Sequence, residues 1–181
     1  MIFGLILGLG ACATWGLLLW WSERDAMTGP WPPQQGNWPT AAWSWGLTIL
    51  IYVGLFQTWV VPTGPWAWLI WTIGLGIGFA GSALQTWGMA NLRFFGTSGW
   101  DVGVSTHGAY AWSRHPQYVG QAAGFLGFAI ILGHLPGWII ALSAIATLTA
   151  AAMVEEAALT ARHPEYAAYR ARVPFLLRRP T

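Results

Sequence analysis

Residues 115–154 read HPQYVGQAAGFLGFAIILGHLPGWIIALSAIATLTAAAMV and contain no Asp, Glu, Lys or Arg. A helix that crosses a membrane needs about 20 predominantly apolar residues, so this stretch has room for two short ones. Its middle reads Gly133-His134-Leu135-Pro136-Gly137. Gly commonly ends one helix, and Pro fits the first turn of the next. We therefore predict two membrane helices, 117–132 and 137–154, joined as a tight helical hairpin.

The rest of the chain has the same character. Residues 26–92 also contain no charged residue, and the apolar stretches 2–21, 41–61 and 66–91 are each long enough to cross a bilayer. Only 8% of the 181 residues are charged and 55% are hydrophobic, whereas a soluble domain has about 25% charged residues. This composition excludes a soluble globule, a disordered chain and a protein that binds nucleic acid through a charged surface.

We therefore predict an all-α integral membrane protein with five transmembrane helices in a single domain, 1–181. Within it, residues 1–92 are expected to form a three-helix scaffold. Residues 93–181 are expected to contain a functional loop, the helical hairpin and a C-terminal tail.

The arginines predict the orientation. With five spans, the first loop, the third loop and the C-terminus share one side, and all basic residues fall there. The positive-inside rule then places the N-terminus outside and the C-terminus in the cytoplasm, as expected for a cytoplasmic (inner) membrane. All the acidic residues fall on the same side, which a four-span or six-span topology would not give. The basic residues are Arg24, Arg93, Arg114, Arg162, Arg170, Arg172, Arg178 and Arg179.

Three patterns are expected to be structural. The run GIGFAG at 76–81 fits G-x-G-x-x-G but lies within a predicted span, where small residues such as Gly74 and Gly78 allow close helix packing. The proline-rich stretch 30–39 is expected to be an irregular interfacial loop without a functional role. The four histidines show no metal-ligand spacing, so no metal site is predicted.

Polar residues concentrate in two segments on the predicted cytoplasmic side. One is 103–120, and the other is 155–174, which begins where the last predicted span ends. Because polar and ionisable residues are costly at a membrane, their concentration marks the region expected to carry function.

These two segments contain a recognisable pattern. The first has Gly108-x-Tyr110 and then Arg114-His115-Pro116-x-Tyr118-x-Gly120, and the second has Glu155-Glu156-x-x-Leu159 and then Tyr166-x-x-Tyr169-x-x-x-Val173-Pro174. Together they resemble the signature of the isoprenylcysteine carboxyl methyltransferase and phospholipid methyltransferase superfamily of integral membrane methyltransferases. The resemblance covers about residues 85–180. A bare R-H-P-x-Y carries little weight because it occurs twice, at Arg114 and Arg162.

The resemblance implies that S-adenosyl-L-methionine binds at the cytoplasmic mouth of the bundle. The chemistry of the residues agrees, because a sulfonium and an amino group suit the Glu155 carboxylate and an adenine suits an aromatic shelf. The catalytic residues it implies are Arg114, His115 and Glu156. The cofactor-binding residues it implies are Val102, Gly103, Val104, Ser105, Tyr110, His115, Tyr118 and Glu155.

Several residues of the two segments could have a structural role instead of binding the cofactor. Arg114 could bind the carboxylate of the cofactor, or it could form an ion-pair clamp with Glu155 and Glu156 that ties the loop to the helix. Tyr166 and Tyr169 are expected to pack the tail onto the membrane face rather than to touch the cofactor. The arginines of the tail are expected to contact anionic membrane lipids.

The expected acceptor is a lipophilic small molecule or lipid. Its reactive group could be an isoprenylcysteine-type carboxylate, an amine headgroup or a hydrophobic thiol. Ala151 occupies the position where an arginine is expected to hold a prenylcysteine carboxylate, which weakens that choice. If the acceptor is an ammonium, it must first lose a proton, and Glu156 or His115 could accept it. The oligomeric state stays open.

Two other functions stay open. One is an NADPH-dependent membrane reductase of the sterol or enone type on the same fold, although adjacent glutamates would repel a phosphate-rich cofactor. The other is a non-enzymatic membrane packing protein or small transporter, which would be expected to carry polar residues in mid-span.

Overall fold

The regular structure of the protein is helical throughout the part described by the computed structural model, residues 1–24 and 29–177. The predicted all-α class is therefore confirmed for that part of the chain. Three of the charged residues used to predict the orientation lie outside the described residues, namely Asp25, Arg178 and Arg179. The helices are α1 (Ile2–Arg24), α2 (Trp38–Gln57), α3 (Ala67–Thr97), α4 (Pro116–Leu132), α5 (Leu135–Arg162) and α6 (Tyr166–Arg172), with a 3₁₀ turn at Gly108–Ala111.

Four of these helices are long and apolar enough to cross a membrane, namely α1, α2, α3 and α5. The apolar helix α4 is shorter, with 17 residues. At the usual helical rise it is about 25 Å long, which is less than a typical hydrocarbon core of about 30 Å. The described residues thus contain four candidate spans and one shorter apolar helix, where the sequence predicted five spans.

Two helices extend beyond their predicted ends. Helix α3 continues from the predicted end at residue 91 to Thr97, across a kink at Arg93, whose φ of 58° lies in the left-handed region. Helix α5 continues past residue 154 to Arg162. Both extensions contain polar or charged residues and follow the apolar part of the helix, so hydropathy alone could not predict them.

Two residues connect α4 to α5. Gly133 ends α4 with a φ of 63°, and the ring of His134 caps α5 by accepting a hydrogen bond from the Gly137 N–H at 3.1 Å. The other ring nitrogen of His134 lies 2.6 Å from the Thr58 carbonyl oxygen at the end of α2. A neutral His134 satisfies both contacts, with Nε2 donating and Nδ1 accepting.

Helices α3 and α4 pack through glycines seven residues apart. A Cβ added at Gly74 would lie 2.8 Å from the Gly127 oxygen, and one added at Gly81 would lie 2.5 Å from the Gly120 oxygen. The predicted close packing through small residues is therefore confirmed at these positions. Gly78 contributes only its backbone, because a Cβ added there would meet nothing within 4 Å.

Helices α1, α2 and α5 pack together on the other side of α4. Helix α1 packs against α2 and α5, and α4 packs against α5. Helix α3 has α4 and the 3₁₀ turn as its main partners, so α2 and α3 are consecutive in the chain but pack mainly against different neighbours. The core between α1, α2, α4 and α5 includes Leu19, Ile51, Leu55, Phe125 and Ile140.

We predict that Gly81→Ala lowers the melting temperature of the protein in detergent. The added Cβ overlaps the α4 backbone, and overpacking of this kind costs about 1–3 kcal/mol. The matched control is Gly76→Ala, because a Cβ at Gly76 meets nothing within 4 Å. It should leave the melting temperature unchanged or slightly higher, since Ala favours helix more than Gly. Equal effects of the two variants would contradict the packing described for α3 and α4.

Candidate active site

A cavity lies at the end of the bundle where α1, α3 and α5 end and α2 and α4 begin. We call this the cavity end. The cavity measures about 1180 Å³, the open space at its mouth included, and every helix contributes at least one residue to its wall. The loop between α3 and α4, residues 98–115, forms much of its rim and is called the site loop below.

The site loop is held by short polar contacts. The Gly103 N–H donates to Oδ1 of Asp101 at 3.0 Å, and the Ala109 N–H donates to Oδ1 of Asn91 on α3 at the same distance. Gly103 has a φ of 77°, which favours glycine at this turn. Pro116 then begins α4, where its missing N–H costs no helical hydrogen bond.

A buried carboxylate joins the site loop to α5. Oε1 of Glu156 lies 2.6 Å from Nε of Arg114 and 3.1 Å from Nε2 of His115, and its Oε2 lies 3.7 Å from Nε of Arg170. The His115 ring stacks on Tyr118 with ring centroids 5.7 Å apart. The predicted residues Arg114, His115 and Glu156 thus form one cluster, and its geometry is that of the ion-pair clamp.

The C-terminal tail closes over the site loop. The backbone N–H of Arg114 donates to the Pro174 carbonyl. In its side chain, Nη1 donates to the carbonyls of Arg170 and Val173. The Tyr169 hydroxyl donates to the Tyr110 carbonyl at 2.8 Å. Because burial raises the pKa of Tyr169 to about 12, this hydroxyl keeps its proton at neutral pH.

The two tail tyrosines correct a prediction. Tyr166 and Tyr169 were expected to pack the tail onto the membrane face, but both are buried and line the cavity. Their rings pack with Val173, Val104 and Leu159. The tail is therefore part of the wall of the site.

All the residues predicted to bind the cofactor line this one cavity. Glu155 and Glu156 differ, because Glu155 lines the cavity and Glu156 does not. Glu155 interacts with the hydroxyl of Tyr118. Burial raises the pKa of Tyr110, and the charge of Glu155 raises it further, which places that carboxylate close to both tyrosines. The predicted cofactor-binding residues on the wall are Val102, Gly103, Val104, Ser105, Tyr110, His115, Tyr118 and Glu155.

The wall also contains residues that sequence reasoning assigned no role. Trp31, in the proline-rich stretch, is buried and lines the cavity, and its backbone N–H donates to the Ser22 hydroxyl at 2.8 Å. The second R-H-P-x-Y copy contributes as well. Arg162 donates to the Pro32 and Pro33 carbonyls at 2.9 and 3.0 Å. His163 lies 2.9 Å from Oδ1 of Asp101 in the site loop.

Several buried polar atoms of the wall have no hydrogen-bond partner in the described structure. They include the hydroxyls of Ser105 and Tyr166, Nε1 of Trp15 and Nε2 of Gln121. Buried polar atoms of native proteins are almost always hydrogen-bonded, so exceptions that share one cavity indicate a ligand site. No group of three or more His, Cys, Asp or Glu suited to a metal ion occurs among the described residues.

The fold and the site define a class. Apolar helices of membrane-spanning length surround a cavity whose ionisable residues gather at one end, as in an integral membrane protein that binds a ligand near the bilayer surface. A sequence model of the phospholipid methyltransferase family matches residues 69–167, which include the site loop and both glutamates. The chain belongs to this family of membrane methyltransferases, so the resemblance found in the sequence is confirmed. The searches of curated proteins and of solved structures found no match.

Proposed function

We propose that the protein transfers a methyl group from S-adenosyl-L-methionine to a lipophilic acceptor at the cytoplasmic face of the membrane. One observation carries the proposal: the residues to which the family resemblance assigns the cofactor all line one cavity. Membership of the phospholipid methyltransferase family supports methyl transfer over reduction by a nicotinamide cofactor.

The residues of the cavity fit this cofactor. The unpaired hydroxyls of Ser105 and Tyr166 suit its polar groups, and the rings of Tyr110 and Tyr118 suit its adenine. The carboxylate of Glu155 suits the positive charges of its sulfonium and amino groups. When bound, the cofactor supplies a methyl group on a positively charged sulfur.

We assign Glu156 and Arg114 a positioning role. Glu156 does not line the cavity, and its carboxylate already faces Arg114 and His115. The Arg114 guanidinium is ion-paired with Glu156, and its Nη1 donates to two tail carbonyls. His115 does line the cavity, so it replaces Glu156 as the group that could accept a proton from an acceptor that must lose one. The chain supplies alignment in a closed cleft rather than a covalent intermediate.

We place the acceptor's access route between α2 and α3. Both helices contribute to the cavity wall, for example through Thr48 and Gln85, yet they pack mainly against different partners. A lipid can therefore approach from the bilayer without breaking a major helix interface. In this arrangement α4 crosses as a fifth, short span, and the arginines keep the cavity end in the cytoplasm.

We predict that the same substitution at the two adjacent glutamates has different effects. Glu155→Gln should melt like the parent without ligand but bind S-adenosylhomocysteine about ten- to two-hundredfold more weakly. The reason is that a hydrogen bond to a charged group contributes about 1.5–3 kcal/mol. Glu156→Gln should lower the melting temperature, because it leaves Arg114 buried without its carboxylate. Calorimetric titration and thermal unfolding in detergent measure the two effects.

The control for this pair is Glu23→Gln, since Glu23 is exposed near the end of α1 and does not line the cavity. It should change neither quantity. Unchanged affinity in a normally folded Glu155→Gln protein would remove Glu155 from the cofactor site.

The orientation has its own prediction. With Cys12 replaced by Ser, Thr63→Cys should react with an impermeant thiol reagent added outside intact cells, and Ala167→Cys should react only after the membrane is opened. Both positions are exposed and lie at opposite ends of the bundle. The reverse labelling pattern would place the cavity end outside and overturn the proposed topology.

A further inference from the structure

The first half of the site loop has unused hydrogen-bond donors. The backbone N–H groups of Val104 and Ser105 donate to no atom of the described residues, and the buried hydroxyl of Ser105 has no partner there either. Both residues line the cavity, together with Val102 and Gly103. Donors of this kind suit a ligand with acceptor atoms, so the binding function of the segment depends on where it is held.

One carboxylate fixes this segment at its start. Oδ1 of Asp101 accepts the Gly103 N–H at 3.0 Å and closes the tight turn in which Gly103 has a φ of 77°. The same carboxylate faces the ring of His163, whose Nε2 lies 2.9 Å from Oδ1 and 3.1 Å from Oδ2. Since an ionised carboxylate only accepts hydrogen bonds, Nε2 of His163 is the donor.

His163 is itself held in place at the junction of two helices. Its backbone N–H donates to the Leu159 carbonyl at the end of α5, and its carbonyl accepts the N–H of Tyr166, where α6 begins. Nδ1 of its ring lies 3.4 Å from Oε1 of Glu165. The ring therefore has a carboxylate at each nitrogen, and the one at Nε2 belongs to the site loop.

The preceding residue holds a second loop beside the first. Arg162 donates to two carbonyls of the proline-rich stretch. This stretch packs on the start of the site loop, because a Cβ added at Gly99 would lie 3.0 Å from the Trp31 ring. The end of α5 thus supports the site loop directly through His163 and indirectly through Arg162.

We propose that His163 is a positioning residue for cofactor binding. Its hydrogen bond to Asp101 keeps residues 102–105 in the arrangement that binds S-adenosyl-L-methionine, although His163 does not line the cavity. Without this contact the loop adopts the binding arrangement only part of the time, and the affinity falls in proportion. The inference rests on the proposed function and gives the second R-H-P-x-Y copy a role in it.

Calorimetric titration of the detergent-purified protein with S-adenosylhomocysteine tests the assignment. His163→Ala should weaken binding about fivefold, the size expected for a partly exposed charged contact. His163→Gln should restore most of the affinity, because its amide N–H can still donate to Asp101. The melting temperature without ligand should be unchanged in both variants, since the contact is partly exposed. Unchanged affinity in His163→Ala would overturn the inference.

A double variant ties the effect to this pair of side chains. Asp101→Ala should weaken binding at least as much as His163→Ala, and combining the two should cause no further loss, because the partner is already absent. Additive losses would contradict the assignment. The matched control is His107→Ala, which removes an exposed ring of the same loop that has no hydrogen bond or ion pair with the described residues. It should bind like the parent.

Amide hydrogen exchange separates positioning from general support of the fold. In His163→Ala without ligand, exchange should become faster at residues 101–105 and stay unchanged in α3 and α4. Faster exchange throughout the protein would overturn the positioning role.

The outcomes for the parent protein separate this inference from the proposed function. Failure of the parent to bind S-adenosylhomocysteine would overturn the proposed function, and the inference with it. Normal binding by the parent and equal binding by His163→Ala would overturn the inference alone.

Discussion

The carboxylate of Glu156 holds together the three segments that build the site. It belongs to α5, contacts Arg114 and His115 of the site loop, and lies near Arg170 of α6. A buried carboxylate is tolerated only with such partners, so each segment depends on the others for its place. Arg114 extends the connection by donating to carbonyls of the tail. The loop, the last long helix and the tail therefore enclose the cavity as one unit.

This arrangement gives two neighbouring glutamates different tasks. Consecutive residues of a helix point about 100° apart, so the side chain of Glu156 can reach the buried cluster while that of Glu155 reaches the cavity. In our account Glu156 maintains the shape of the site and Glu155 binds the ligand. The paired motif then has a physical reason: one acid pairs with Arg114 and contacts His115, and the other stays available beside Tyr110 and Tyr118.

Sequence reasoning predicted the features that depend on nearby residues. The helix positions follow from apolar runs, the turn at Gly133 from Gly and Pro, and the cluster of Arg114, His115 and Glu156 from a motif. It missed features that need contacts between distant parts of the chain. Trp31 and Arg162 belong to the wall because Arg162 binds carbonyls about 130 positions away. The burial of Tyr169 depends likewise on a hydrogen bond to Tyr110, 59 positions earlier.

The central claim is that the cavity binds S-adenosyl-L-methionine, and thermal unfolding in detergent with two ligands tests it most directly. A ligand present at one hundred times its Kd stabilises the folded state by about 2.7 kcal/mol. S-adenosylhomocysteine should therefore raise the melting temperature by several degrees, and NADPH should leave it unchanged. A rise with NADPH and none with S-adenosylhomocysteine would contradict the account and favour a reductase.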